Sequence, residues 1–195
     1  MKILGINCMN HDAAMSVVDY SSGIGEVLWA AHAERYSKVK NDHYLNWAIV
    51  NEAMTYGPFD KVVYYEKPWL KKTRQLYAGQ WSDALSYTEL PQWHLDNFNI
   101  KIDEYVKHHD SHAAAGYFTS PFREATILTV DAIGEWDTVS ISTAEKIWIE
   151  RKETIKYPHS IGILYSAFTH RCGLKPAEEE YILMGMAAYG EPKYK

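Results

Sequence analysis

A pattern of strands and helices occurs twice along this chain, and it restricts the fold more than any other feature. Lys2 to Asn7 reads as a buried strand, and Met15 to Asp19 as a second, with the polar turn Met9-Asn10-His11-Asp12-Ala13-Ala14 between them. Ser21-Ser22-Gly23-Ile24-Gly25 closes another hairpin, and Glu26 to Ala33 supplies a third strand. Helix-forming sequence follows from His43 to Thr55, stopped by Gly57-Pro58. A short strand at Lys61 to Tyr65, a predicted helix from Trp69 to Tyr87 and a strand at Ile102 to Val106 come next. Then the pattern restarts. Ala125 to Asp131 is strongly apolar, Ile133-Gly134 turns the chain, Trp136 to Ser142 returns, and Lys146 to Ile155 makes a third strand. Helices are expected at Ser160 to Cys172, stopped by Gly173, and at about Glu179 to Tyr189.

Two copies of a three-stranded unit leading into helices form a long-period repeat. The repeat predicts an α/β chain of actin-like ATPase (ribonuclease H-like) fold, whose two similar halves hold a nucleotide between their first hairpin turns. Residues 1–122 would form the first half, complete. Residues 123–195 would start the second, cut short before the strands that finish its sheet. Either the chain is a fragment or another chain completes it.

Composition excludes several classes. Hydrophobic residues make up 47%, which predicts a packed globular protein. The net charge of -5 argues against nucleic acid as the main partner. Cys8 and Cys172 are too few for a disulfide framework and fit a reducing cytoplasm. The amino terminus is too short for a signal segment or a membrane span. Lys67, Lys71, Lys72 and Arg74 form the only positive concentration; it reads as solvated helix surface, with an anion-binding edge as the alternative.

The chemistry concentrates in Val106 to Phe118, where three histidines fall within five residues ahead of a run of alanines. On a helix, His108 and His112 share a face and can aim at one point. Neutral imidazoles at this spacing suit zinc or iron. His109 sits about 100° away and cannot share that point. Taken alone, the pair is also compatible with a capped or wet helix surface. Both hairpin turns carry usable groups: His11 and Asp12 in one, Asp131, Gly134 and Glu135 in the other. Gly134 lets backbone approach a phosphate closely, with Glu135 near a nucleotide. His11 or Asp12 is the candidate general base, and a structural turn role for Asp12 is equally open.

The pieces Leu4-Gly5-Ile6…His11-Asp12-Ala13-Ala14, Glu34 to Lys40, His108 to Phe118, Val130 to Thr138, His159 to Tyr165 and Met184 to Gly190 stand in a fixed order. In that order they make the chain similar to the NodU/CmcH-type carbamoyltransferases, specifically the amino-terminal part of their actin-like domain. That domain in turn resembles the catalytic subunit of tRNA threonylcarbamoyl transferases. The resemblance implies a biosynthetic enzyme in which carbamoyl phosphate and ATP give carbamoyl-adenylate in a separate YrdC-like domain. The actin-like domain then carbamoylates a hydroxyl of a small acceptor. It further implies a divalent metal, Fe2+ favoured over Zn2+ or Mn2+, held by His108, His112 and Asp131. A second chain carrying the missing carboxy-terminal domains is an implied partner. Two positions depart from the family. Ala132 stands where glycine is usual, which would make a positive φ costly. Ile182 replaces a lysine suited to phosphate, which weakens the nucleotide reading more than the metal one. The competing readings are threonylcarbamoyl transfer to tRNA, which the acidic balance disfavours, and a non-catalytic metal- or nucleotide-binding subunit of a split enzyme.

Overall fold

The computed structural model describes residues 1–10 and 12–193. They fall into two compact units, Met1–Pro121 and Phe122–Lys195. The first is built on a mixed five-stranded sheet of β1 (Lys2–Asn7), β2 (Ala14–Asp19), β3 (Glu26–His32), β4 (Lys61–Tyr64) and β5 (Glu104–Tyr105). Its order is β3-β2-β1-β4-β5, with β1 antiparallel to β2 and parallel to β4. That order and sense make it the ribonuclease H-like half of an actin-like fold. Among the strands, β5 is shorter than the predicted Ile102 to Val106: Glu104 and Tyr105 are the ladder partners of β4, with the Asp103 and Val106 amides donating to Val62 O and Tyr64 O. Ile102 is nevertheless buried in the core, so its apolar character served packing rather than pairing.

Period-2 alternation explains the sheet. Leu4 and Ile6 of β1 and Met15 and Val17 of β2 face one side and are buried. After β3 the chain makes a short helix α1 (Glu34–Ser37), then α2 (Trp47–Met54). Asn46 starts α2, its side chain accepting from Ala48 N at 3.0 Å and Ile49 N at 3.2 Å. Ile49, Val50 and Ala53 then face the sheet at helical spacing. The predicted start at His43 is four residues early because Leu45 N donates to His94 Nε2 instead, at 3.1 Å.

The predicted helix from Trp69 to Tyr87 is broken. It becomes α3 (Pro68–Tyr77) and α4 (Trp81–Leu85), then a single 3₁₀ turn at Tyr87–Glu89. Gly79, with φ of 77°, takes the left-handed conformation that ends a helix. Next come α5 (Pro91–Leu95) and, after β5, α6 (His108–Phe118).

The second unit is a meander of β6 (Glu124–Gly134), β7 (Asp137–Glu145) and β8 (Trp148–Lys156), all antiparallel. It is followed by α7 (Ile161–Arg171) and α8 (Glu180–Ala187). This repeats the meander of β1 to β3. The hairpin turn lies at Glu135-Trp136 rather than Ile133-Gly134, because Gly134 still pairs with Asp137. Glu135 adopts φ of 61°, a place where glycine is usual. Among the described residues no helix is long and apolar enough to cross a membrane.

His94 gives this core a pH dependence. It is buried between Tyr44 and Phe98, and burial pushes its pKa below the usual 6.5. The folded state therefore keeps His94 neutral while the unfolded chain takes up a proton, so stability should fall as pH drops below about 6.5. His94→Gln, which keeps an acceptor for Leu45 N, should flatten that decline in urea denaturation between roughly pH 5 and 7.5.

Candidate functional site

The imidazole pair forms at the head of α6. Lys107 is extended, with φ of -76° and ψ of 143°, and the helix begins at His108. Ala113, Ala114 and Ala115 then favour its continuation. One helical turn brings His112 Nε2 to 3.0 Å from His108 Nε2. Two nitrogens each about 2.1 Å from one ion stand about 3.4 Å apart at a tetrahedral angle and about 3.0 Å at a right angle. The pair is therefore close enough to share one ion, and without an ion the same 3.0 Å is a hydrogen bond between the rings. His108 is buried and His112 exposed, so one ligand is rigid and the other accessible. His109 is 1% exposed, and its ring centroid lies 6.4 Å from that of His112. It packs in the core beside the pair.

Tyr65 and Glu66, which carried no motif, hold His108 in place together with Lys71. The Tyr65 ring meets it edge-on, with centroids 5.2 Å apart. Glu66, 4% exposed, places Oε2 3.5 Å from His108 Nδ1, and its Oε1 lies 3.3 Å from Lys71 Nζ. Burial alone would raise the Glu66 carboxyl, but His108 and Lys71 together hold it below the usual carboxylate value. Ser111 Oγ donates to Tyr65 O at 2.6 Å and ties the first turn of α6 to this corner. Lys72 Nζ donates to the carbonyls of Asp83, Ala84 and Ser86, at 3.0, 3.1 and 2.6 Å, closing the carboxyl end of α4. Lys71 and Lys72 are thus engaged inside the unit, and neither a solvated surface nor an anion-binding edge describes them.

Asp12 lies in the turn between β1 and β2 with φ of 53°, and its carbonyl accepts from Asn7 Nδ2 at 3.2 Å. A left-handed Asp in a tight turn is a structural role in itself. His11 lies outside the described residues.

In the second unit, Asp131 stands where β6 leaves its ladder with β7, between Val130 and Gly134. Its Oδ1 accepts from Ala132 N at 2.7 Å. Ser160, the N-cap of α7, donates from its hydroxyl to Ala132 O at 2.6 Å. A Cβ on Gly162 would come within 2.5 Å of Ala132 Cα and 2.8 Å of Asp131 O. The start of α7 therefore rests directly on the backbone that carries Asp131. Ala132 sits in β6 without a positive φ, so an alanine here carries no left-handed backbone strain. Gly134, Glu135 and Asp131 share one end of β6, with Glu135 and Gly134 buried.

Residues 77–195 match the family described as Carbamoyltransferase N-terminus. The chain is 33% identical to Uncharacterized protein sll1178 of Synechocystis sp., over 98% of this chain and 35% of that protein. It is 26% identical to Nodulation protein NolNO of Sinorhizobium fredii, over 95% of this chain and 29% of that one. It spans about a third of the length of these curated relatives. A solved Ppx/GppA phosphatase of Aquifex aeolicus overlays at a TM-score of 0.42 with 12% identity, over 93% of this chain and 59% of that one. That likeness is too loose to carry an inference. The family match covers more than half of the sequence and takes in the paired histidines of α6 and the Asp131 turn, and the chain belongs to the carbamoyltransferase N-terminus family.

Proposed function

We propose that this chain is the amino-terminal part of an enzyme that moves a carbamoyl group from carbamoyl-adenylate, made from ATP and carbamoyl phosphate, to a hydroxyl of a small acceptor. The observation that carries this reading is the His108–His112 pair, with its Nε2 atoms 3.0 Å apart, in a member of this family. In the transfer, the acceptor oxygen bonds to the carbamoyl carbon. The bond from that carbon to the adenylate phosphate oxygen breaks, AMP leaves, and the acceptor's proton passes to a base. Asp12 and its neighbour His11 are the proposed recipients of that proton.

His108, His112 and Asp131 would hold a divalent ion; two imidazoles and one carboxylate suit Fe2+, Zn2+ or Mn2+, and the family resemblance favours Fe2+. Such an ion, when bound, polarises the carbamoyl carbonyl and orients the donor. Gly134 and Glu135, at the same end of β6 as Asp131, are the proposed nucleotide contacts. The net charge of -5 and two unpaired cysteines fit a cytoplasmic enzyme acting on a small molecule.

The test uses the full-length protein, given ATP, carbamoyl phosphate and a panel of hydroxyl acceptors. Protein stripped of its resident metal by a chelator, then freed of the chelator and supplied with Mg2+ for ATP, should form the adenylate but not carbamoylate the acceptor, and Fe2+ added under anaerobic conditions should restore transfer. Undiminished transfer by metal-free protein would overturn the proposal.

A further inference from the structure

We propose that Glu66 is a positioning residue for His108: its buried carboxylate, anchored by Lys71, keeps the His108 proton on Nδ1 and so aims the Nε2 lone pair at the point shared with His112. This inference rests on the metal reading above, but its first consequence appears without any metal.

A neutral imidazole carries one proton, and an ionised carboxylate can only accept. With Glu66 Oε2 3.5 Å from Nδ1, the favourable tautomer places the proton on Nδ1 and leaves Nε2 as a donor of electrons. The carboxylate does not face His108 as a by-product of pairing with Lys71. Lys71 takes the other oxygen, Oε1, so each oxygen has its own partner. The corner is held by its surroundings. Pro68 is buried at the first turn of α3, two residues after Glu66, and Ser111 Oγ bonds the Tyr65 carbonyl just before it. Helix α6 and the end of β4 are therefore fastened together where the carboxylate meets the ring. The tautomer also explains the pair itself. Two Nε2 atoms 3.0 Å apart need one proton between them, and with the His108 proton on Nδ1 it belongs to His112. A carboxylate behind a ligating imidazole commonly fixes tautomer and orientation in this way.

The experiment uses the full chain labelled with 15N-histidine. Without metal, the ring-nitrogen shifts of His108 should report a proton on Nδ1. In Glu66→Ala that preference should be lost. Affinity for Mn2+ alone, followed by the EPR signal of the free ion, should fall roughly 10- to 100-fold. Glu66→Gln keeps the shape and an acceptor oxygen, so it should retain the tautomer and most of the affinity; if the alanine variant fails to fold, the wild-type His108 tautomer carries the test. Finding the His108 proton on Nε2 in the wild-type chain overturns the proposal. So does a folded Glu66→Ala with tautomer and Mn2+ affinity unchanged. A His108→Ala variant binding Mn2+ as tightly as wild type would instead overturn the metal reading, and the tautomer measurement would still decide the role of Glu66.

Discussion

Replacing either His108 or His112 with alanine is expected to cut carbamoyl transfer on the order of a thousandfold or more, with carbamoyl-adenylate formation unchanged. Losing one of the two imidazoles leaves a divalent ion weakly held and misplaced. The several kcal/mol of transition-state stabilisation that such an ion supplies would go with it, at about 1.4 kcal/mol per factor of ten. Adenylate and carbamoylated product are followed separately in the full-length protein. His109→Ala provides the contrast. That side chain is 1% exposed, so its removal should lower the melting temperature through a cavity while folded protein keeps its transfer rate. Equal loss of transfer per folded molecule in all three variants would assign the stretch a folding role. Loss of adenylate formation along with transfer would mean that the two steps are not divided between domains as proposed.

Gly162→Ala should be strongly disruptive. The new Cβ would stand 2.5 Å from Ala132 Cα and 2.6 Å from Ala132 N. Both are backbone atoms, so no side chain can swing aside. Either α7 lifts away, breaking the Ser160 hydroxyl bond to Ala132 O, or β6 bends at Asp131. Overpacking of this kind costs about 3 kcal/mol or more, which for a chain of this length is a melting temperature lower by roughly 6 °C or more. Gly116→Ala is the control. Gly116 lies inside α6 with nothing within 4 Å of the added methyl, and removing a helical glycine there should gain up to about 1 kcal/mol. Calorimetry on the two variants should give shifts of opposite sign. A Gly162→Ala melting at the wild-type temperature would show that α7 does not rest on β6 as described.

These two outcomes fall on different kinds of information. The helical spacing of His108 and His112 could be read directly from the sequence, because four residues are one turn wherever a helix forms. The strand Lys2–Asn7, the helix beginning at about Ser160 and the stop at Gly173 were legible for the same reason: alternation, helical pattern and left-handed glycine act within a few residues. The repeated meander was legible as well, since each hairpin announces itself through its turn.

What the sequence could not disclose lies at longer range or depends on competition between local preferences. Gly79 breaks a stretch whose composition otherwise suited one helix, and Glu135 takes the left-handed turn position that Gly134 would have filled more easily. Ile102 looked like strand and went to the core. The carboxylate beside His108 comes from Glu66, forty-two positions earlier and just ahead of the basic cluster that begins at Lys67. Gly162 and Ala132 are thirty positions apart and touch through backbone alone. Periodicity can say which faces are apolar and which residues share a helical turn. Which distant side chain meets Nδ1, and which glycine must lack a Cβ, is decided only when close packing brings separate elements within a few ångströms.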